Sequence, residues 1–264
     1  MQPIILFRSE LAFQYELRIA KEYFDLIEQR CACPKDRLVI GRYSVLPFYQ
    51  ELERDIEIMG SRLVNAWEQH RWIANFDYYH DLKDYTAESW DDSTIQFCHH
   101  PGPFVVKGRL NSLKHRWKSH MFAKTRRRAV ELGKELAQDS NIREQGVIYR
   151  KYVPLVTYEV GLHDLRYTNE WRLFYLGKTR LSHGYYWSLA ENVVERTLSQ
   201  DGLDFADRVA AIAARHTQFF TLDIAEKEEG GWILIEINDG QTSALSENDA
   251  HLLYGNLRKA LFDR

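Results

Sequence analysis

At 264 residues and 45% hydrophobic composition, the chain is long enough to form one large or two small domains with a sizeable core. A formal net charge of −3 gives no global reason to expect nucleic acid, and three cysteines (Cys31, Cys33 and Cys98) argue against a disulfide framework and for a reducing, cytoplasmic setting. No apolar stretch approaches the roughly 20 residues of a membrane span, and the opening apolar run at 4–7 is too short for a signal peptide.

The first third alternates between strand and helix patterns. Residues 4–7 read as an opening strand, and Leu11, Tyr15, Ile19, Tyr23, Leu26 and Ile27 recur at helical spacing across 11–30. A second strand follows at 37–42. Residues 48–58 form a helix with Leu52, Ile56 and Met59 inward, stopped by Gly60. A third short strand at 62–65 and a helical turn at 67–73 complete a βαβαβ-like order, which predicts a small parallel sheet. Loops at the carboxyl ends of such strands bind ligands, so Arg42 and Ser44 are candidate substrate contacts, against the alternative of a solvated turn. His70 reads as a surface or cap residue and not as a base. Residues 82–90 read as a connection, and His99-His100-Pro101-Gly102-Pro103 breaks the chain before the next strand. The one-residue gap of Cys31-Ala32-Cys33 does not suit a zinc knuckle, and Cys98-His99-His100 does not change that.

The remainder carries the chemistry. Phe104-Val105-Val106-Lys107 is a short strand ending in a lysine; 146–154 is a strand running into a hinge-like segment; 169–177 is a third strand with Glu170 and Arg172 on one face. Gly177-Lys178-Thr179 resembles the tail of a P-loop. However, Arg172 occupies the position of the required first glycine, and strand patterns on both sides make it a hairpin turn. Residues 219–224 and 231–240 form a further hairpin. Glu236 and Asn238, two apart in a strand, point the same way, with Ile233, Ile235 and Ile237 on the other face. A carboxylate and an amide oxygen before a glycine turn suit Mg²⁺, and Asp223 brings a third oxygen; the alternative is a hairpin whose polar face meets water. Between Lys107 and Arg128 there are nine Lys or Arg residues and no Asp or Glu, and a helix is expected over 112–138. This run reads as a solvated helix face, as a phosphate-neutralising surface or as a grip on nucleic acid or another polyanion; the net charge favours the first two.

The order lysine, hinge, Glu-x-Arg, Asp, Glu-x-Asn resembles the ATP-grasp superfamily, the fold of carboxylate–amine ligases such as glutathione synthetase and D-alanine–D-alanine ligase, over residues 100–264. It is most similar to a divergent clade seen in bacteria and phages. The resemblance implies an α/β (α+β) ATP-grasp fold. A small N-terminal α/β domain at 1–98 would precede an ATP-grasp domain at 99–264, with a lid subdomain at about 103–150 and a C-terminal subdomain at about 151–264. It implies an ATP-dependent ligase in which Mg-ATP activates a carboxylate as an acyl phosphate and an amine completes a C–N bond. Lys107 and Arg172 would be catalytic, meeting the phosphates from two sides. Lys107, Arg109, Lys114, Arg150, Lys151, Tyr152, Val153, Glu170 and Arg172 would hold ATP, the 151–153 backbone meeting the adenine edge. Asp223, Glu236 and Asn238 would hold Mg²⁺. The chemistry agrees: a lysine is a compact charge for phosphate, an arginine a planar fork, and acidic oxygens hold the metal that offsets the triphosphate. Two departures stand out. The segment after Lys107 has a single glycine where a glycine-rich flap is expected, and Thr221 stands two before Asp223 where better-known ligases often place an arginine. The expected partners are small-molecule or peptide carboxylates and amines, with no membrane. Nucleic acid bound through the basic run, and a non-catalytic interaction protein that kept the fold, are the alternatives.

Overall fold

A computed structural model describes residues 2–7, 14–43, 45, 48–110, 112, 116–161, 165–187 and 196–262. The N-terminal part is the expected parallel sheet. It comprises β1 (Gln2–Phe7), β2 (Leu26–Ile27), β3 (Arg37–Arg42) and β4 (Arg62–Leu63), in the order β2-β1-β3-β4. Helices α1 (Gln14–Tyr23), α2 (Tyr49–Ile58), α3 (Trp67–Ala74) and α4 (Tyr78–Leu82) connect and follow these strands. Parallel strands covered on both faces read as unbroken apolar runs. Accordingly Ile4 and Leu6 pack with Leu52 and Ile56 of α2, while Ile5 and Phe7 pack with Leu17 of α1 and Leu253 and Leu257 of α8 (Ala250–Phe262). The helix expected over 11–30 is shorter. Leu26 and Ile27 leave it to pair with Ile5 and Leu6 as an edge strand, a use of two adjacent apolar residues that helical spacing cannot exclude.

The second sheet is antiparallel, in the order β5-β8-β6-β7. Its strands are β5 (Ser89–Asp91), β6 (Phe104–Gly108), β7 (Phe122–Ala123) and β8 (Val147–Lys151). Helix α5 (Arg126–Leu136) covers one face through Ala129, Leu132 and Leu136, and α6 (Ser140–Gln145) leads into β8. The stretch read as a connection thus supplies strand β5, paired to β8 through Trp90 and Tyr149. The helix expected over 112–138 is interrupted by a π-helical turn (Trp117–Met121) and by β7, which pairs with Phe104 and Val105. Thr125 then caps α5 by accepting from the Arg128 N–H at 3.3 Å. The basic run is internally balanced. Arg126 donates to the Cys98 carbonyl at 2.7 Å, and Arg128 pairs with Glu135 at 2.8 Å and Glu131 at 3.4 Å.

A short ribbon of β9 (Thr157–Val160) and β10 (Arg166–Thr168) leads to the third sheet, β11 (Glu170–Leu176), β12 (Thr179–Tyr185), β13 (Phe219–Glu226) and β14 (Trp232–Asp239), antiparallel in the order β12-β11-β13-β14. Helix α7 (Gln200–Ala213) packs on one face through Phe205, Ala206 and Val209. Gly177 turns the β11–β12 hairpin at a φ of 57°, as the strand patterns on either side require. The alternation expected for β14 fails at one place. Asp223 pairs with Glu236 and the next residue, Ile224, with Leu234, so Ile235 is an extra, bulged residue. Leu234 and Ile237 therefore share the core face under α7, and Ile233 and Ile235 turn to the same side as Glu236.

Two buried polar networks join the first sheet to the third. Arg42 is neither a substrate contact nor part of a solvated turn; it pairs with Glu16 of α1 (Nε to Oε1, 2.9 Å), meets the Tyr254 hydroxyl at 3.2 Å and donates to the Gly240 carbonyl. Ser44, the other candidate in that loop, lies outside the described residues. His70 is 1% exposed and not on the surface; its Nδ1 lies 3.0 Å from Asp239, and its ring stacks on Tyr49 at 4.0 Å. Asn65 donates to the same Asp239 at 2.9 Å and accepts from the Phe219 N–H at 2.8 Å. Among the described residues, no helix is long and apolar enough to cross a membrane.

Removing one partner of a buried ion pair leaves the other charged and unsolvated. Arg42→Met is therefore expected to lower the unfolding free energy by about 3–5 kcal/mol, and Arg42→Met combined with Glu16→Leu to lower it by less. Urea denaturation of the two variants checks this.

Candidate functional site

A cleft lies between the second and third sheets. Its walls come from β6, the π-helical turn, the end of β8 and the segment after it, β10 and the bulged half of β14. Strand alternation places the lining. Phe104 and Val106 point into the core under α5, so Val105 and Lys107 face the cleft. Val105, Trp117, Met121, Leu155, Ile233 and Ile235 make one part of it apolar, with the rings of Trp117 and Tyr152 6.5 Å apart. Lys151, Tyr152 and Val153 line the same part. The Lys151 and Tyr152 N–H groups are already bonded to the Glu88 and Pro103 carbonyls at 2.8 and 3.0 Å.

Arg150 closes the floor. Its guanidinium donates to the Thr86 hydroxyl and to the Ile235 carbonyl, while Thr86 donates to the Leu234 carbonyl at 2.8 Å. The bulge explains this partner: a bulged residue is left out of the ladder, so its carbonyl can be taken by a side chain from another sheet. The Arg150 Nε is buried with no partner among the described residues.

The charged end of the cleft is set by strand register. Arg172 of β11 stands directly opposite Asp223 of β13, and Asp223 stands directly opposite Glu236 of β14. These three residues, far apart in sequence, thereby form one row across three strands. Arg172 holds Asp223 through two parallel bonds of 2.8 and 2.7 Å and donates to the Ala244 carbonyl at 3.0 Å; its guanidinium lies 4.9 Å over the Tyr186 ring. Burial acts to lower the Arg172 pKa, but the Asp223 carboxylate outweighs it and holds the guanidinium above its ordinary value. Asn238, two residues along from Glu236, points its amide at Asp223 from 3.5 Å. From the second sheet, Lys107 reaches across the cleft to an ion pair with Glu236. Glu170 completes the rim, accepting from the Thr168 hydroxyl at 3.2 Å.

The cleft thus gathers Lys107, Arg150, Lys151, Tyr152, Val153, Glu170 and Glu236, with Arg172, Asp223 and Asn238 in the adjoining row. Arg109 does not line it; its guanidinium lies against Gly146, the Nε 3.3 Å from where a β-carbon on that glycine would stand. Lys114 lies outside the described residues. Residues that the sequence did not single out include Thr86, Gly184 and Asn248. Gly184 lies opposite Arg172 on β12, where a β-carbon would stand 2.3 Å from the Glu247 carbonyl carbon. The absent side chain lets the loop after β14 approach closely enough for Ala244 and Asn248 to bond Arg172. A glycine interrupting a strand pattern was the one available signal. Among the described residues, no three His, Cys, Asp or Glu side chains form a metal-holding group; the oxygen set here is two carboxylates and an amide.

Residues 93–260 match the model of an ATP-grasp domain, family 3 of its clade. The chain belongs to this ATP-grasp family. Its fold is similar to that of a D-cycloserine synthetase (14% identity, TM-score 0.62, covering 98% of this chain and 99% of that one). It is similar to a RimK domain protein ATP-grasp from Sphaerobacter thermophilus (13% identity, TM-score 0.59, 97% and 99% covered). A third similar structure is that of the ATP-grasp ligase PsnB, complexed with a phosphomimetic variant of its minimal precursor, Mg and ADP (11% identity, TM-score 0.57, 99% of each chain covered). At these identities the likeness concerns the fold. No curated protein sequence matches the chain.

In this ATP-grasp chain the buried Arg172–Asp223 pair carries weight beyond any ligand. Asp223→Ala leaves the Arg172 guanidinium buried and uncompensated, and is expected to cost about 3–5 kcal/mol of stability. Asp223→Asn keeps a hydrogen-bond acceptor and should cost less. Thermal and urea unfolding of the ligand-free variants separate the two.

Proposed function

We propose that this chain is an ATP-dependent ligase that activates a carboxylate as an acyl phosphate and joins it to an amine. The observation that carries the reading is the row Arg172–Asp223–Glu236, faced by Lys107 at the charged end of an apolar cleft. Membership of an ATP-grasp family supports ATP as the nucleotide. The fold is similar to that of ligases in which, by their titles, one was complexed with a precursor, Mg and ADP and another with ATP.

In this reading the base of ATP sits against Val105, Trp117, Met121 and Ile235, with the Val153 N–H at its edge, since the Lys151 and Tyr152 N–H groups are committed elsewhere. Arg150, with one buried donor to spare, faces the nucleotide from the floor. Lys107 and Arg172 meet the phosphates from two sheets. The donor set fits Mg²⁺, because that ion keeps several waters and takes one or two carboxylates together with phosphate oxygens, so it needs no all-protein cage. Asp223, Glu236 and Asn238 would hold it, and it would offset the charge of the phosphates. A carboxylate oxygen of the first substrate attacks the γ-phosphorus and ADP leaves. The amine nitrogen of the second substrate then attacks the acyl carbon; inorganic phosphate leaves and the nitrogen loses a proton. Arg172, rigidly held by Asp223 and Ala244, is placed to stabilise the transferring phosphoryl group without reorganising. Residues 1–98 act in this scheme as the domain before the ATP-grasp domain at 99–264. Its lid comprises about residues 103–150 and its C-terminal subdomain about 151–264, and β5 joins the lid sheet from the residues before it.

Small molecules or peptides are the substrates this reading favours. Recognition of a polyanion through Arg126, Arg127 and Arg128 is less favoured, because Arg126 is bound to the Cys98 carbonyl and Glu131 and Glu135 balance the others. The three free cysteines accord with a reducing cytoplasm.

The test is ATP turnover over a panel of amino acids and short peptides as carboxylate and amine donors. Glu236→Ala is expected to abolish Mg²⁺-dependent turnover with the circular dichroism spectrum unchanged. Lys107→Ala should mainly weaken ATP binding. Arg172→Lys should slow turnover by about 10²–10³-fold, the usual loss when a preorganised donor to developing charge is removed. Full turnover in Glu236→Ala would overturn the site.

A further inference from the structure

We propose that the Lys107–Glu236 ion pair is a latch that couples metal binding to phosphate binding, so that the cleft accepts a metal–nucleotide complex and resists either component alone. The inference rests on the ATP-grasp ligase reading above and adds to it a competition that the ligand-free structure displays.

The two ion pairs of the site are built differently. Arg172 and Asp223 lie on neighbouring strands of one sheet, and their two parallel bonds, with the Ala244 carbonyl behind, hold the guanidinium fast. Lys107 and Glu236 come from different sheets, β6 and β14, and their contact spans the cleft. A lysine is a compact charge on a flexible stem, so it can leave one partner for another a few ångströms away. Arg150 also bridges the sheets, but onto the Thr86 hydroxyl and the Ile235 carbonyl. Those neutral partners have no charge for a phosphate or a metal to compete for, so the exchange is confined to the Lys107 end.

Burial makes the exchange costly by halves. Lys107 is 8% exposed and Glu236 9%. A free nucleotide that draws Lys107 onto a phosphate leaves the Glu236 carboxylate buried without its cation. A free divalent cation that takes Glu236 leaves the Lys107 ammonium buried without its anion. Breaking a buried pair from one side is strongly unfavourable. The complex replaces both partners in one event, metal for lysine at Glu236 and phosphate for carboxylate at Lys107. The charge balance agrees. The buried ionisable side chains of the site are three cations (Lys107, Arg150, Arg172) and three carboxylates (Glu170, Asp223, Glu236), a neutral set that favours a charge-compensated ligand over a bare polyanion or a bare cation. Because coupling between two ligands is reciprocal, removing either half of the latch should loosen the requirement for the other ligand.

The experiment is titration calorimetry of ATP, in EDTA and in excess Mg²⁺, on the native chain and on Glu236→Gln, together with Mn²⁺ titration without nucleotide on the native chain and on Lys107→Gln. The native chain is expected to bind ATP at least about tenfold more weakly in EDTA, as for truncation of a hydrogen-bonded charge pair. Glu236→Gln, which keeps the shape and removes the charge, should bind ATP in EDTA about tenfold more tightly than the native chain, with little further gain from Mg²⁺. Lys107→Gln should bind Mn²⁺ alone more tightly by a similar factor. If Glu236 were a metal ligand only, Glu236→Gln would lose the Mg²⁺-dependent gain and leave the EDTA affinity unchanged. That result, or unchanged Mn²⁺ affinity in Lys107→Gln, overturns the latch while Mg-ATP binding by the native chain leaves the ligase reading standing. A native chain that binds no ATP in either buffer overturns both.

Discussion

The site depends on the register of three antiparallel strands. Arg172, Asp223 and Glu236 sit at mutually opposite positions of β11, β13 and β14, so the ladder hydrogen bonds that define the sheet also define the spacing of its charges. A slip of one residue in any of these pairings would turn the charged side chain to the core face under α7. Stability and chemistry are therefore tied at this row. The arginine that would stabilise a phosphoryl group is the same one that keeps a buried aspartate compensated.

The Ile235 bulge is the second constraint. It interrupts the ladder between Asp223 and Ile224, keeps Leu234 and Ile237 in the core, and turns Ile233 and Ile235 into the cleft wall. It also leaves the Ile235 carbonyl for Arg150, which fixes the second sheet against the third at the floor of the cleft. A regular strand would do neither: its alternation would bury a wall residue and keep the carbonyl in the ladder. The first sheet is held in turn by the Arg42–Glu16 and His70–Asp239 networks, and Asp239 directly follows Asn238 on β14. Buried polar groups that are fully satisfied specify one arrangement of their elements.

Ligand-free, the cleft satisfies its own charges, and this neutrality gives the two ion pairs different parts. The pair within one sheet is a fixture, since its geometry belongs to the ladder. The pair between sheets can exchange partners, since nothing but charge and contact holds it. The basic run shows how local context can reverse a charge pattern. In sequence it is an unbroken positive stretch, but one to two helical turns further along α5 Glu131 and Glu135 meet Arg127 and Arg128, and Arg126 turns back onto a backbone carbonyl.

The sequence by itself determined the strands whose patterns are local: the parallel N-terminal sheet, the Lys107 strand, the hairpin at Gly177, and the Glu236-x-Asn238 pair on one face of β14. Those depend on side-chain alternation and turn chemistry within a few residues. It also carried the order of charged residues that led to the family, because that order survives even where no single motif is specific. Only tertiary structure decided what depends on distant pairing. Leu26 and Ile27 became a strand because β1 offered them an edge, and residues 89–91 became one because β8 did. Arg42 and His70, which looked like loop and surface residues, were drawn inside by Glu16 and Asp239, partners at least 26 positions away. Alternation alone could not reveal the bulge at Ile235, since an extra residue is defined only against the strand it opposes. For the same reason the meeting of Lys107 with Glu236, 129 residues apart, is a property of two sheets facing each other and of neither strand alone.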